Sequence, residues 1–293
     1  MESIYENLRN ERQYSAATGF DKQKFQQLHH TFDKYYKPKN NLLITGEKPV
    51  FFQSDHALFF ILFYLKTYPT LQVLGLCFNI SDASASHYID HIMPFVKQAL
   101  GQEKALANRL FSSQQDFDQA FEGVDDIFMD CTEIPIERAD NERIQKKAFS
   151  GKKKFHTMIF LLITDKKGRV LYVGNLYLGS EVDITIFKKE LANFNYEKLC
   201  IWADLGFIGV KNLLNTECQI GYKRSPKKEL ADWQKIINYE INRVRIKVEH
   251  AIGSVKRYYI LRHENRLKKP HSSTRLDLSV ELCIGLHNYR MCV

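Results

Sequence analysis

Near residue 124 the hydrophobic period of the chain changes, and that change limits what each part can fold into. Upstream, apolar residues recur at the spacing of amphipathic helices; downstream they gather into short β-branched and aromatic runs. Phe20, Phe25, Leu28, Phe32 and Tyr35 fall near one face of a helix over residues 20–36. A polar, proline-containing connection around 38–49 leads to three closely spaced helical segments. Ser54 or Asp55 is placed to cap ALFFILFYLKTY, Thr70 to cap LQVLGLCF, and Ser81 to cap DASASHYIDHIMPFVKQAL. A short side-chain oxygen just ahead of a periodic apolar run satisfies the first free N–H groups of a helix. Helix, short turn, helix is the outline of a helix-turn-helix with the third segment in the recognition position. That segment offers Ser84, Ser86 and His87 for DNA contact and Lys97 as its cation, while plain packing or dimerisation would use the same outline.

Downstream, VDDIFMD, HTMIFLLITD and VLYVGNLYLG read as three successive strands, the last two a hairpin about the turn KKGR. VDITIFKKELANF reads as a helix, KLCIWAD as a strand, LGFIG as a glycine turn into a short helix, CQIGYKR as a strand, and about 231–262 as a long helix. Uninterrupted apolar runs predict strands covered on both faces. This order of elements is that of a ribonuclease-H-like core, although many mixed folds share it. The expected fold class is α/β: a ribonuclease-H-like catalytic core with a mixed sheet, preceded by an all-α helix-turn-helix domain. The expected divisions are 1–50 for an N-terminal helical segment, 51–112 for the helix-turn-helix and 124–293 for the core.

Charge follows the same division. Residues 1–138 hold 13 Lys and Arg against 18 Asp and Glu, whereas 139–293 hold 29 against 16, so the net charge of +8 belongs to the second part. Within 221–270 there are 14 basic and 5 acidic residues, a density suited to a polyanion such as nucleic acid and equally to a solvated face. Six cysteines lack any C-x-x-C pair, so they read as reduced, mostly buried thiols. Apolar runs such as 57–65 and 158–163 are too short to span a bilayer, and MESIYENLRNER lacks the apolar stretch of a secretory signal. A cytoplasmic, nucleoid-associated protein is expected, with no membrane partner.

Three carboxylates stand where packing alone explains them poorly. Asp130 closes the apolar run IFMD, Asp204 closes CIWAD before a glycine turn, and Glu249 lies in a long, otherwise basic helix. Strand ends of an α/β sheet converge on one crevice, and carboxylates meeting there repel unless a cation lies between them. A pair of divalent ions would relieve that repulsion and serve in-line attack at a phosphodiester. Oxygen-only ligands favour Mg²⁺, with Mn²⁺ as a substitute, over zinc. At the helical angle per residue, Arg245, Gly253 and Lys256 share a face with Glu249, and Ile241, Val244, Val248, Ile252, Val255 and Tyr259 form the apolar face. A cationic stripe of this kind suits the phosphates of a scissile strand, and an ordinary i,i+4 surface pair would look the same.

FMDCTEIPI, SGKKKFHT, GSEVDIT, ADLGFIG and NRVRIKVEHAIGSVKR, in that order, resemble the DDE-type transposases of bacterial insertion sequences, in the group that includes the Harbinger-like transposases. TYPTLQVLGLCFNISDASASHYI resembles that group's helix-turn-helix, and LCIGLHNYRM its closing helix. The resemblance implies that Asp130, Asp204 and Glu249 are the catalytic, metal-binding triad, holding two Mg²⁺ ions per site. The spacing of Asn242, Arg245, Glu249 and Lys256 resembles a Tyr-Arg-Glu-Lys signature, from which Asn242 departs. Lys152, Lys153, Lys154 and His156 fall where relatives approach the transposon end, and with Arg245, Lys256 and Arg257 complete the expected DNA-binding set. Asp183 stands where relatives carry a His-Asp pair, with Val182 replacing the histidine; its role, like that of Glu133, stays open between the site and a local one. The implied activity is transposition: binding terminal inverted repeats in double-stranded DNA, hydrolysing a phosphodiester at the element end, and joining it to target DNA. The implied assembly is a homodimer or larger. A DNA-binding derivative without catalysis and a structure-specific nuclease or resolvase are the alternatives.

Overall fold

The structure, a computed structural model, describes residues 4–39, 50–214, 216–225, 229–266 and 274–291. Two compact units share the chain: Met1–Leu106 with Val255–Glu264 and Thr274–Val293, and Ala107–Ser254 with Asn265–Ser273. Among the described residues no helix is long and apolar enough to cross a membrane.

The first unit is helical. It contains α1 (Glu11–Thr18), α2 (Lys22–Asp33), α3 (Ser54–Thr67), α4 (Leu71–Phe78), α5 (Asp82–Gln102) and a helix at the end of the chain. α2 buries Phe25, Leu28 and Phe32 but stops at Asp33, so Tyr36 and not Tyr35 turns inward. The connection expected around 38–49 lies largely outside the described residues. α3 is the hub, with eight buried side chains from Ala57 to Leu65. Its N-cap position is taken by Gln53 without a side-chain bond, because Ser54 instead donates its hydroxyl hydrogen to Asp33. The next two caps are as expected: Thr70 accepts from the Val73 N–H and Ser81 from the Ser84 N–H, at 3.3 and 3.1 Å.

Between α4 and α5 the chain turns through Asn79 at φ 53°, a left-handed conformation that asparagine tolerates better than most residues. The turn folds the Ile80 carbonyl onto α4 at Gly75, where a β-carbon would lie 2.5 Å from the carbonyl oxygen. Gly75→Ala is therefore expected to destabilise the protein by about 1–3 kcal/mol through forced backbone movement. A lowered thermal midpoint would show this; an unchanged one would mean that the turn relaxes freely.

The second unit holds α6 (Gln114–Ala120), β1 (Asp126–Pro135), α7 (Glu142–Ala148), β2 (Thr157–Thr164), β3 (Val170–Val173), β4 (Tyr177–Leu178), α8 (Asp183–Glu190), β5 (Cys200–Ala203), a 3₁₀ helix (Leu205–Asn212), β6 (Cys218–Ile220) and α9 (Asp232–Val255). The sheet order is β3-β2-β1-β5-β6, with β4 paired to β2. β1, β2 and β3 are antiparallel neighbours, whereas β5 runs parallel to β1 and β6 parallel to β5. This mixed sheet with its helices is a ribonuclease-H-like core behind an N-terminal helical region, as the pattern change near residue 124 predicted. β2 is buried along its whole length, so it is covered on both faces. One face packs Ile127, Met129, Leu161 and Ile163 against Ile186, Phe187 and Phe117. Each such fully buried side chain contributes about 1.5–3 kcal/mol over its exposed state.

Three expectations need correction. The third predicted strand is broken into β3 and β4. α6 and α7 lie in stretches with no strong apolar period, where only the caps from Ser113 and Asn141 mark a start. α9 ends at Val255 and not near 262, since the chain turns there to bury Tyr258, Ile260 and Leu261 within the first unit, leaving Tyr259 38% exposed. The described cysteines are all free, with Cys283 buried and Cys77, Cys131, Cys200 and Cys218 only half-buried; Cys292 lies outside the described residues.

Candidate active site

The register of the sheet builds the site. Parallel pairing of β1 with β5 ends at Met129 opposite Ala203, so the next residues, Asp130 and Asp204, emerge side by side where the two strands part. Asp130 is not the end of its strand: β1 continues to Pro135 along β2, with Asp130 opposite Leu162. Asp204 leaves β5 as the cap of the 3₁₀ helix, its Oδ1 accepting the Gly206 N–H at 2.7 Å. Asp130 likewise accepts the Cys131 N–H at 2.8 Å through Oδ1. Each carboxylate thus uses Oδ1 on the backbone.

This closeness has an electrostatic consequence. Burial and then the neighbouring Asp204 raise the Asp130 pKa from 3.8 to about 6, with Arg245 opposing them. Arg245, only 6% exposed on α9, brings Nη2 to 3.8 Å from Asp130 Oδ2, and its Nε has no hydrogen-bond partner among the described residues. The pair is a loose one, since a charge-assisted hydrogen bond is about 1 Å shorter. A solvent-facing stripe of Arg245, Gly253 and Lys256 does not form, because Arg245 turns inward and α9 stops before Lys256.

Asp183 joins this group. Val182 holds the N-cap position of α8 without a capping side chain, and Asp183 follows as the first helical residue. Its pKa is raised by burial and by Asp204, while the Cys131 thiol, donating to it, and Lys152 pull it back. A β-carbon on Gly206 would crowd Asp183 Oδ2 and Asp204 Oδ1, so any larger residue there would push the two carboxylates from their present places. Glu133 is engaged at its side, accepting from the Thr157 hydroxyl at 2.7 Å. Of the two residues that the sequence leaves open, Asp183 and Glu133, it is Asp183 that faces both Asp204 and Cys131, and a lone aspartate after valine at a helix start gave little signal.

Glu249 is exposed on α9, one turn beyond Arg245, and the structure does not bring it into the aspartate cluster. No group of three or more His, Cys, Asp or Glu among the described residues is assembled as a metal cage. The donor chemistry nevertheless fits a divalent cation: oxygen-only groups of like charge, held close under burial, cost free energy that a cation removes. Lys152, Lys153 and Lys154 are exposed on a tight loop closed by the Phe149–His156 bridge, and Lys152 is the member whose charge reaches Asp183. His156 packs its ring edge-on against Phe149 at 5.7 Å.

In the first unit, His87 is exposed on α5 while Ser84 and Ser86 are half-buried. Ser86 is engaged by Arg275, whose Nη2 donates to its hydroxyl at 2.9 Å and whose Nε donates to Asp90 Oδ1 at 2.6 Å. The arginine missing from the sequence of α5 is therefore supplied by the terminal helix, α10 (Thr274–Met291).

Comparison with known proteins identifies the family. Residues 129–288 match the family model described as DDE superfamily endonuclease. This chain belongs to that superfamily. Residues 54–102 match its helix-turn-helix, the segment formed by α3, α4 and α5. A probable transposase for insertion sequence element IS702 of Microchaete diplosiphon is 28% identical over 287 residues, covering 96% of this chain and 95% of the relative. No solved structure matches. The chain is a DDE-family transposase and endonuclease with a helix-turn-helix DNA-binding domain, and membership implies dependence on a divalent metal.

Proposed function

We propose that this DDE transposase binds the terminal inverted repeats of its own element in double-stranded DNA, cuts a phosphodiester at the element end, and transfers the freed strand to target DNA. The observation that carries the reading is the strand register that sets Asp130 beside Asp204, where burial and the Asp204 charge raise the cost of ionising Asp130. These two carboxylates, completed by Glu249 from α9, are the proposed catalytic and metal-binding residues, for two Mg²⁺ ions or Mn²⁺ in their place. When bound, the cations supply Lewis-acid activation and stabilise charge at the attacking and leaving oxygens.

The chain's own residues supply the rest. Arg245 lends Asp130 a loose counter-charge at 3.8 Å, and its buried Nε is without a hydrogen-bond partner among the described residues. The loop lysines Lys152, Lys153 and Lys154, with His156, take the backbone of the element end, and Lys256 and Arg257 add further phosphate contacts. His87, with Ser84 and the Arg275-held Ser86, faces base edges in the major groove. The proposed domain division is 1–50, 51–112 and 124–293, the working assembly a homodimer or larger, and the place of action the nucleoid. Incubating the full chain with a duplex carrying the repeats that flank its gene, in Mg²⁺ or Mn²⁺, is expected to release a 3′ hydroxyl at the repeat boundary. Binding of that duplex without any cut in either metal would overturn the reading.

A further inference from the structure

The first unit carries a concentration of positive charge of which only Arg257 belongs to the DNA-binding set proposed above. A cleft of about 550 Å³ opens between α1, α2, α3, the segment 255–264 and the end of α10. Its walls present Lys24, Lys66, Arg257, Arg262 and Arg290 against one acid, Asp21. That acid is engaged locally, since its Oδ1 caps α2 by accepting the Lys24 N–H at 2.7 Å. Lys66, Arg257 and Arg262 have no ion-pair partner among the described residues.

Lys66 is held in place rather than left to solvent. Its Nζ donates to the Arg257 carbonyl at 2.9 Å and lies 5.0 Å from the centre of the Tyr259 ring. Burial and the Arg257 charge lower its pKa, as expected where cations are crowded without an anion. The turn that ends α9 at Val255 is what delivers Arg257, Tyr259 and Arg262 to this wall, and it leaves the Tyr259 ring 38% exposed beside Lys66. Arginine forks and a tyrosine hydroxyl all donate hydrogen bonds to phosphate oxygens, and the arginines do so in pairs. No Asn or Gln lines the cleft, so the side chains that pair with adenine edges are missing from it.

We propose that this cleft grips the sugar–phosphate backbone of duplex DNA without reading its sequence, as a second DNA contact of the helical unit. The proposal rests on the transposase reading for its ligand, and places at Arg257 a role unconnected with the helix that bears Glu249.

The test compares the full chain with its Lys66→Gln/Arg257→Gln/Arg262→Gln variant, by fluorescence anisotropy on an element-end duplex and on an unrelated duplex over a range of salt. Affinity for both duplexes is expected to fall by the same factor, about tenfold or more, and the salt slope to become shallower by about 2–3, one step for each phosphate released. An unchanged slope, or a loss confined to the element end, overturns the proposal. Should the triple variant melt early, Arg257→Gln/Arg262→Gln, which alters exposed side chains only, is expected to give a smaller shift of the same kind, and no shift overturns it equally. Inorganic phosphate is the second probe. If it raises the melting temperature of the wild type but not of the triple variant while duplex binding is equal, the cleft holds a free anion and the duplex assignment falls. Wild type that binds neither duplex would instead sink the transposase reading itself, a result distinct from wild type and variant binding alike.

Discussion

Asp204→Asn is expected to lower metal-dependent cleavage of element-end DNA by roughly 10³-fold or more while duplex affinity stays within about twofold. The substitution is nearly isosteric. Its amide oxygen still accepts the Gly206 N–H that starts the 3₁₀ helix, so the local backbone keeps its cap. What is lost is one negative charge at the point where β1 and β5 diverge, and with it an anionic oxygen for the cation. Removing that charge also relieves Asp130, whose pKa then falls toward the ordinary carboxylate value, because Asp204 is the largest of the charges that raise it. Cleavage of a labelled duplex in Mg²⁺ and Mn²⁺, with anisotropy for binding and melting for the fold, separates these effects. Cleavage at the wild-type rate would show that Asp204 holds structure alone, and would turn attention to Asp183 as the partner of Asp130.

The sequence makes the position of both aspartates legible for a simple reason: each closes an apolar run whose burial forces the strand, and the parallel pairing of β1 with β5 stops one residue before both. Thr70 and Ser81 are legible on equally local grounds, since an N-cap is a bond between residues three apart. The exposed Gln53 start of α3 is less so, because Asp33, twenty-one residues away, competes for the Ser54 hydroxyl. Other features are set by contacts that no local pattern encodes. Arg275 reaches Ser86 across 189 residues of chain, and nothing in α5 announces its arrival. α9 carries a helical pattern beyond Val255, yet burial of Tyr258, Ile260 and Leu261 overrides propensity worth only tenths of a kcal/mol per residue. Arg245 lies on the face that spacing assigns to Glu249, but burial against Asp130 separates the fates of two residues one turn apart. Asp183 enters the cluster through the path of the chain into α8 and the absence of a β-carbon at Gly206, and both are tertiary facts.

Metal-free protein is expected to lose stability as pH rises through about 6, and Asp130→Asn to remove most of that loss. The sign follows from which state binds the proton more tightly. Asp130 in the folded chain titrates at about 6 against an ordinary 3.8, so folding takes up a proton between those values. Its favourable contribution is complete below the ordinary value and disappears as pH climbs past the folded one. Above that pH the buried carboxylate and Asp204 face each other as anions, at a cost on the order of 2–3 kcal/mol that Arg245 has already reduced. At pH near neutrality Asp130→Asn is therefore expected to raise the unfolding free energy by about 1–2 kcal/mol, and well below the folded pKa to change it little. Divalent cations act on the same free energy from the other side. Mg²⁺ or Mn²⁺ is expected to raise the melting temperature of the wild type near neutral pH, to do so progressively less as protons compete below about 6, and to leave Asp130→Asn almost unmoved. Melting curves across pH, with and without each metal, decide the matter. A variant less stable than wild type near neutrality, or a wild type indifferent to both metals above the folded pKa, would mean that the two aspartates are kept for packing and hydrogen bonding, and that the cation is held elsewhere.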